Sequence, residues 1–316
     1  MINNRKDVAK AAGGKETALR KFGIVTDEID RVNLEAALKV MKDLGASYAD
    51  LNTVGGKNIF EHSKEEVREM RKLLDSYEIK PTVLSTPFIK GLSLDDIPTG
   101  KVADHPEFRK HLEMLRCTME IAHMLCAPMV RTFSFKRPVQ FSPPHGGEID
   151  DETFGKVMEG IRMASGLAEQ EGIKLVLENV NSVWGNTGYN MARIIRAVDS
   201  PAFGAIWDVA NAYVSGETSF LDGYSEVKDL TFHVHVKDAT IVDAETGKTR
   251  WECMGRGGID YVGQFKALAE NGYDGVICLE THWNAPGMTR EQCTRESFSG
   301  LMELIRQANE PSATVK

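Results

Sequence analysis

The chain has 316 residues, 42% of them hydrophobic and 27% charged, with a formal net charge of −8. This is the composition of a globular protein with a large core, and no run of about 18 apolar residues is available to cross a membrane. The acidic balance also disfavours a sequence-independent grip on nucleic acid, which depends on clustered Lys and Arg.

Residues 1–21 are polar and basic, with Arg5, Lys6, Lys10, Lys15, Arg20 and Lys21, and lack the apolar stretch of a secretory signal. They are expected to form a flexible leader over the floor of the folded domain or a neighbouring subunit. From there, strand-like and helix-like stretches alternate. Strands are predicted near 22–26, 47–52, 80–85, 128–133, 174–179, 203–208, 230–236 and 275–280. Helical patterns lie between them at 34–45, which stops at Gly45, at 63–74, where Ser63 is the N-cap and Glu66 completes a capping box, and at 108–125. Further helices are predicted over 151–172, 187–198, 260–272 and 289–309. Eight strands alternating with helices predict a single α/β domain over 22–309, a (β/α)8 TIM barrel, with 310–316 as a disordered tail. Two long connections, 86–105 and 134–150, follow strands and are expected to overhang the mouth as substrate lids.

The five cysteines, Cys117, Cys126, Cys253, Cys278 and Cys293, are odd in number and show no CxxC spacing. Neither a disulfide framework nor a structural zinc knot is expected, and a reducing, cytoplasmic setting is the simplest inference.

Four of the strand-like runs end alike. LVLE (175–178), GAIWD (204–208), FHVH (232–235) and VICLE (276–280) stay apolar until their last residues, Glu178, Asp208, His235 and Glu280. A lone carboxylate at a strand end is usually the first solvated residue after a buried run. Four polar endings in consecutive strands are different, because the C-terminal ends of barrel strands converge on one mouth. Three carboxylates and an imidazole at one point would repel and take up protons unless a divalent cation held them, so the pattern predicts a metal site.

Other side chains are placed around it. Lys237 shares a strand face with His235 and could protonate a leaving hydroxyl, or form an ion pair with a carboxylate such as Asp238. His233, on the same face one layer deeper, is expected to be a hydrogen-bonded interior histidine. His145, on the second long loop, is a candidate general base if that loop folds over the mouth, and otherwise an exposed loop residue. Arg131, at the end of the fourth strand, needs a partner, either a metal-site carboxylate or a substrate oxygen. Trp184, Trp251 and Trp283 follow strand ends and offer flat faces suited to sugars, or else pack in the core.

The segments GIVTDEI (23–29), LKVMKDLGASYADL (38–51), LVLEN (175–179), WDVANAY (207–213), HVKD (235–238), GRGGID (255–260) and CLETHW (278–283) together resemble the sugar phosphate isomerase/epimerase family of xylose isomerase-like barrels. The resemblance implies one divalent metal ion, manganese foremost, with magnesium, cobalt or zinc as alternatives. Its ligands would be the same four residues, Glu178, Asp208, His235 and Glu280. The implied activity is isomerisation or epimerisation of a sugar or keto-sugar derivative through a metal-stabilised enolate, with Glu178 and Glu280 doubling as proton-transfer groups. Lys237 and His145 are further catalytic candidates, and Arg131, Asn211, Arg256, Trp184 and Trp283 are candidates for binding substrate. The same first step followed by loss of a hydroxyl would make the enzyme a lyase or dehydratase of a keto-sugar, keto-inositol or 3-keto-glycoside.

The chain also departs from the family pattern. Asn211 stands where many members carry a substrate-contacting His, Arg256 where epimerase-like members often carry Glu, and Val180 and Asn181 where a His often follows Glu-Asn. Arg256 could dock an anionic or heavily hydroxylated substrate, or be a solvated loop arginine. Metal-dependent endonucleases of abasic DNA use the same barrel with extra histidine ligands. Here the second and third strands end at Asn52 and Ser85, and position 211 is Asn, so those ligands are missing. The expected partners are a small carbohydrate and further copies of the chain, with neither nucleic acid nor membrane; a binding protein without catalysis is the remaining alternative.

Overall fold

Strand β1 (Phe22–Val25) turns through Thr26–Glu28 into helix α1 (Leu34–Leu44), and this unit recurs around the molecule. The computed structural model describes residues 19–138, 147, 149–217 and 220–310. Strand β2 (Tyr48–Leu51) is followed by a hairpin of β3 (Thr53–Val54) and β4 (Lys57–Asn58) and by α2 (Lys64–Ser76). Then β5 (Lys80–Leu84) precedes α3 (Pro106–Leu125), β6 (Met129–Thr132) precedes α4 (Asp151–Glu171), and β7 (Lys174–Glu178) precedes α5 (Gly188–Val198). Strand β8 (Phe203–Asp208) runs into the short α6 (Val209–Val214) and α7 (Phe220–Val227). Strand β9 (Thr231–Val236) gives way to a hairpin of β10 (Asp238–Asp243) and β11 (Lys248–Glu252) and to α8 (Tyr261–Glu270); β12 (Ile277–Leu279) and α9 (Arg290–Ala308) close the order.

Eight of these strands pair in parallel and form a closed barrel in the order β1-β12-β9-β8-β7-β6-β5-β2, the predicted TIM barrel. Local chemistry sets the limits of its helices. Asn33 caps α1 by accepting from Ala36 N, Gly45 ends it in the left-handed region at φ 77°, and Ser63 and Glu66 form the expected capping box on α2. The two hairpins and helices α6 and α7 were not foreseen. Both hairpins are partly solvated, so their alternation of apolar and polar residues is weak.

The interior follows the period of two. Val83, Met129, Val176 and Ile206 form one apolar layer inside the barrel, and Val25, Val276 and Cys278 another. Two expectations are corrected. Leu19 at the end of the proposed leader is buried, and Lys21 O accepts a hydrogen bond from Ile277 N, so the chain is already anchored before β1. The connection 86–105 is no free lid: Phe88, Ile89, Leu94, Ile97 and Val102 are buried, and Lys136 N donates to Leu92 O at 2.9 Å. It is a packed wall beside the mouth. Residues 139–146 and 148 of the second long connection, residues 1–18 and the tail 311–316 lie outside the described residues.

One buried acid couples this fold to pH. Glu217 accepts from Gly188 N through both oxygens, at 3.1 and 2.9 Å, at the start of α5. Burial, aided by the charges of Asp222 and Glu226, pushes its carboxyl up to about 7. The folded state therefore binds more protons than the unfolded chain between the ordinary value of 4.5 and about 7, and stability falls as pH rises through that window. Thermal unfolding of wild type and Glu217→Gln, compared from pH 5 to 8, is expected to show the wild type losing ground to the variant up to about pH 7 and a constant difference above it.

Candidate metal centre

Side chains two residues apart on a strand share a face, so the barrel interior stacks in pairs. Val176 lies beneath Glu178, Ile206 beneath Asp208, Cys278 beneath Glu280 and Met129 beneath Arg131, with the polar member nearer the C-terminal mouth. In register, Glu178 faces Ile206, Asp208 faces His235, and His235 faces Cys278. This stagger, required to close a tilted barrel, carries the four strand-end residues to one place. Glu178, Asp208, His235 and Glu280 are all buried, and one donor atom from each lies within 4.8 Å of the others. An ion about 2.0–2.4 Å from each donor spans atoms up to roughly 4.5 Å apart, so small side-chain movements suffice to share it.

The orientation of His235 supports this. Its Nε2 lies 2.8 Å from Asp50 Oδ2, and the Nε2 of His233 lies 2.8 Å from the same oxygen. Asp50 also accepts from Thr82 Oγ1 at 2.6 Å and from Val83 N at 3.2 Å. A carboxylate holding Nε2–H leaves the lone pair of Nδ1 for a cation, and His235 Nδ1 has no hydrogen-bond partner, though it faces Glu178 Oε1 at 3.4 Å and Glu280 Oε2 at 3.9 Å. Asp50, His233, His235 and Cys278 also cluster tightly enough to suggest a metal by composition. In that lower group Asp50 Oδ2 engages both imidazoles, His233 Nδ1 is left without a hydrogen-bond partner, and burial keeps the Cys278 thiol protonated by pushing its pKa well up.

Asp208 is fixed from its backbone. Asn179 donates to Asp208 O and accepts from Asp208 N, both at 2.9 Å, and Asp208 Oδ1 caps α6 through Asn211 N at 2.8 Å. Its Oδ2 sits 2.8 Å from Lys237 Nζ as an ion pair but receives no well-directed hydrogen bond. Lys237 also donates to Glu280 Oε2 at 2.6 Å, and Arg131 donates to Glu178 Oε2 at 2.8 Å while lying 3.9 Å from Glu280 Oε1. Asn211 Nδ2 reaches Glu178 Oε1 at 3.4 Å.

The electrostatics follow from the crowding. Burial opposes the charge on Glu178, yet Arg131 and His235 hold its carboxyl down to about 2. Glu280 is likewise buried and is kept well below the usual carboxylate range by Lys237 and His282. Asp208 goes the other way: burial and its two carboxylate neighbours raise it despite Lys237. Burial also works against charge on His235, but Asp50 and Glu178 bring it up to about 10. An orphaned imidazole nitrogen, an undersatisfied carboxylate and a proton-seeking cluster together fit a divalent cation.

Around this centre the rim has two sides. Beside β1 and β12, Asp27 and Glu28 are buried with raised pKa values, chiefly through burial and partly through Glu280. His282 Nε2 stands 3.7 Å from both Glu28 Oε1 and Glu280 Oε2, and Asn52 donates to Asp27 Oδ2 at 3.3 Å. Beside β5 and β6, Lys90 and Arg131 share the face of Phe133, at 4.6 and 4.9 Å from its centroid.

The structure thus gathers the four proposed ligands with Arg131, Asn211 and Lys237. Lys237 pairs with Asp208 and Glu280, whereas Asp238 instead accepts from Gly255 N and Gly257 N at 2.9 Å. His233 is the expected interior histidine. Arg256 is not brought to the cluster; it is exposed and paired with Glu296 on α9, with Trp283 6.0 Å away. Trp251 lies 5.5 Å from Lys237 Nζ, over the site, while Trp184 is buried beside Arg137. His145 lies outside the described residues. Sequence reasoning missed Asp50, Asp27, Glu28, His282 and Lys90. For Asp50 a signal existed: a carboxylate between Ala49 and Leu51 inside a strand needs a buried partner.

The family model described as Xylose isomerase-like TIM barrel matches residues 38–304. The uncharacterized protein MJ1311 of Methanocaldococcus jannaschii is 27% identical over 222 residues, covering 69% of this chain and 70% of that one. Among solved structures, the IOLI protein with a binding zinc atom aligns with a TM-score of 0.72 at 18% identity, over 92% of this chain and all of that one (100%). A D-tagatose 3-epimerase-like protein aligns with a TM-score of 0.70 at 22% identity, over 93% of this chain and 100% of that one.

Elemental analysis of purified, reconstituted protein is expected to find close to one divalent ion per chain, lost in Asp208→Asn and His235→Ala. Asp50→Asn, which leaves the ligands in place but frees the imidazole, is expected to weaken binding by about 10–100-fold in a chelator competition.

Proposed function

We propose that this chain, which belongs to the Xylose isomerase-like TIM barrel family, is a divalent-metal-dependent isomerase or epimerase of a sugar or keto-sugar derivative. The observation that carries the reading is the convergence of Glu178, Asp208, His235 and Glu280 within 4.8 Å at the mouth, with two of the carboxylates held ionised. Three carboxylates and one imidazole suit manganese, magnesium, cobalt or zinc. Such an ion would supply Lewis-acid stabilisation of the charge that develops when a proton leaves the carbon beside a carbonyl.

The rest falls to the chain's own side chains. Glu178 and Glu280 come from strands β7 and β12, which lie on different sides of the barrel, so a substrate between them meets a carboxylate on each face. One carboxylate can take the proton as a base; its return at the neighbouring carbon by the same group gives a shift across two, while inversion needs a proton delivered on the other face, which the Lys237 ammonium can pass through Glu280. Arg131 holds Glu178 in place and ionised; Lys237 does the same for Glu280. Asn211 offers a neutral amide that cannot compete for the proton in flight. Trp251 and the wall of 86–105 border the mouth and limit access of water.

A second reading, a lyase on the same first step, is favoured by Lys237: its ammonium, kept charged by Asp208 and Glu280 although burial opposes it, sits within the cluster and would serve as the acid for a departing hydroxyl. A panel of keto-sugars incubated in deuterated water with metal-loaded protein separates the two. Epimerisation or isomerisation is expected to leave deuterium beside the carbonyl without a new ultraviolet band, whereas elimination produces an enone. Glu178→Gln and Glu280→Gln, checked for metal content, are expected to slow exchange by about 10²–10⁴-fold.

A further inference from the structure

Charge near the centre does not close without a substrate. Asp50, Glu178, Asp208 and Glu280 face Arg131, Lys237 and, on the metal reading above, a divalent ion. On the β1 side, Asp27 has Arg31 at 3.8 Å, and Glu28 has Arg290 at 3.6 Å. Lys90 is left over. Among the described residues no carboxylate comes within 4.0 Å of its Nζ, and its recorded neighbour is the face of Phe133, 4.6 Å away. Arg131, whose guanidinium holds Glu178, packs on the same ring.

The turn that carries Lys90 is built to hold it there. Phe88 and Ile89 are fully buried, Thr86 Oγ1 accepts from Phe88 N and donates to Arg131 O, and Ile89 N donates to His111 Nδ1. Ile89 adopts φ 53°, a left-handed conformation that is rare and strained for a β-branched residue. A strained, buried anchor that sets a half-buried ammonium beside a catalytic mouth is an outlier that asks for a function. Burial lowers the Lys90 pKa, and its charge feels Glu178 and Glu280 on one hand and Arg131 and Lys237 on the other.

We propose that Lys90 is a substrate-binding residue that receives an anionic oxygen, so that the preferred substrates carry a carboxylate, as sugar acids and keto acids do, rather than being neutral sugars. This rests on the metal reading above and deepens it by naming the substrate class. Lys90 forms a charge-assisted hydrogen bond that a neutral analogue cannot exploit.

The test uses D-glycerate and glycerol, which differ by a carboxylate in place of a hydroxymethyl group, as probes of the full-length, metal-reconstituted protein. Binding is followed by ligand-observed NMR, with ion content measured for each sample. Lys90→Met is expected to weaken D-glycerate binding by about tenfold or more and to leave glycerol unchanged, while Lys90→Arg retains most of the affinity. D-glycerate is also expected to slow acetylation of Lys90, read by mass spectrometry in the wild type, where no variant has to fold. Equal affinity of Lys90→Met and wild type for D-glycerate, or no protection of Lys90, overturns the proposal. If the wild type takes up no ion, the metal reading falls separately, and the same difference between wild type and Lys90→Met still decides for or against Lys90.

Discussion

Mutual repulsion among Glu178, Asp208 and Glu280 is the constraint to which the rest of the site answers. Three carboxylates removed from water and placed in contact cannot all remain charged without compensation, and at Asp208 burial first, then the charges of Glu178 and Glu280, raise the pKa against Lys237. Arg131 and Lys237 relieve some of it by direct pairing, and the proposed divalent cation would relieve the remainder. Arg131 enters from β6 and Lys237 from the residue that follows β9. The electrostatics are therefore inseparable from the closure of the sheet.

Placement of these charges depends on rigid supports beneath and beside them. Asp50 and His233 occupy a level of the interior otherwise filled by Val83, Met129, Val176 and Ile206, where Asp50 is held by Thr82, Val83 N and both histidines. Asp50 then passes this order to His235 by holding one ring nitrogen. Asn179 performs a similar service for Asp208 by bridging the backbones of β7 and β8. The proposed metal ligands are thus aimed by side chains that would not touch a cation themselves.

The mouth is asymmetric above this seat. Carboxylates and an imidazole, Asp27, Glu28 and His282, border it on the β1 and β12 side, while Lys90 and Arg131 border it on the side of β5 and β6. An elongated, polar ligand laid across the mouth would meet acceptors at one end and donors at the other. Such a gradient would fix orientation, and on the proposed function orientation would decide which carbon lies between Glu178 and Glu280.

The sequence by itself determined the barrel and four of its key residues, because both are written in local patterns. Apolar runs of strand length alternate with capped amphipathic helices, and Glu178, Asp208, His235 and Glu280 stand where such runs stop. Arg131, Lys237 and His233 were legible for a related reason, since an ionisable group within or just beyond an apolar strand calls for a partner. Only the tertiary structure decided who the partners are. Lys237 pairs with Asp208 and Glu280 rather than the adjacent Asp238, and Arg256 leaves the site for Glu296. Asp50 meets His235 across 185 positions of sequence, and Lys90 and His282 reach the mouth from connections without a period. The reason is physical: periodicity states which face of a strand a side chain occupies, whereas the barrel's stagger and the packing of its loops state what stands opposite.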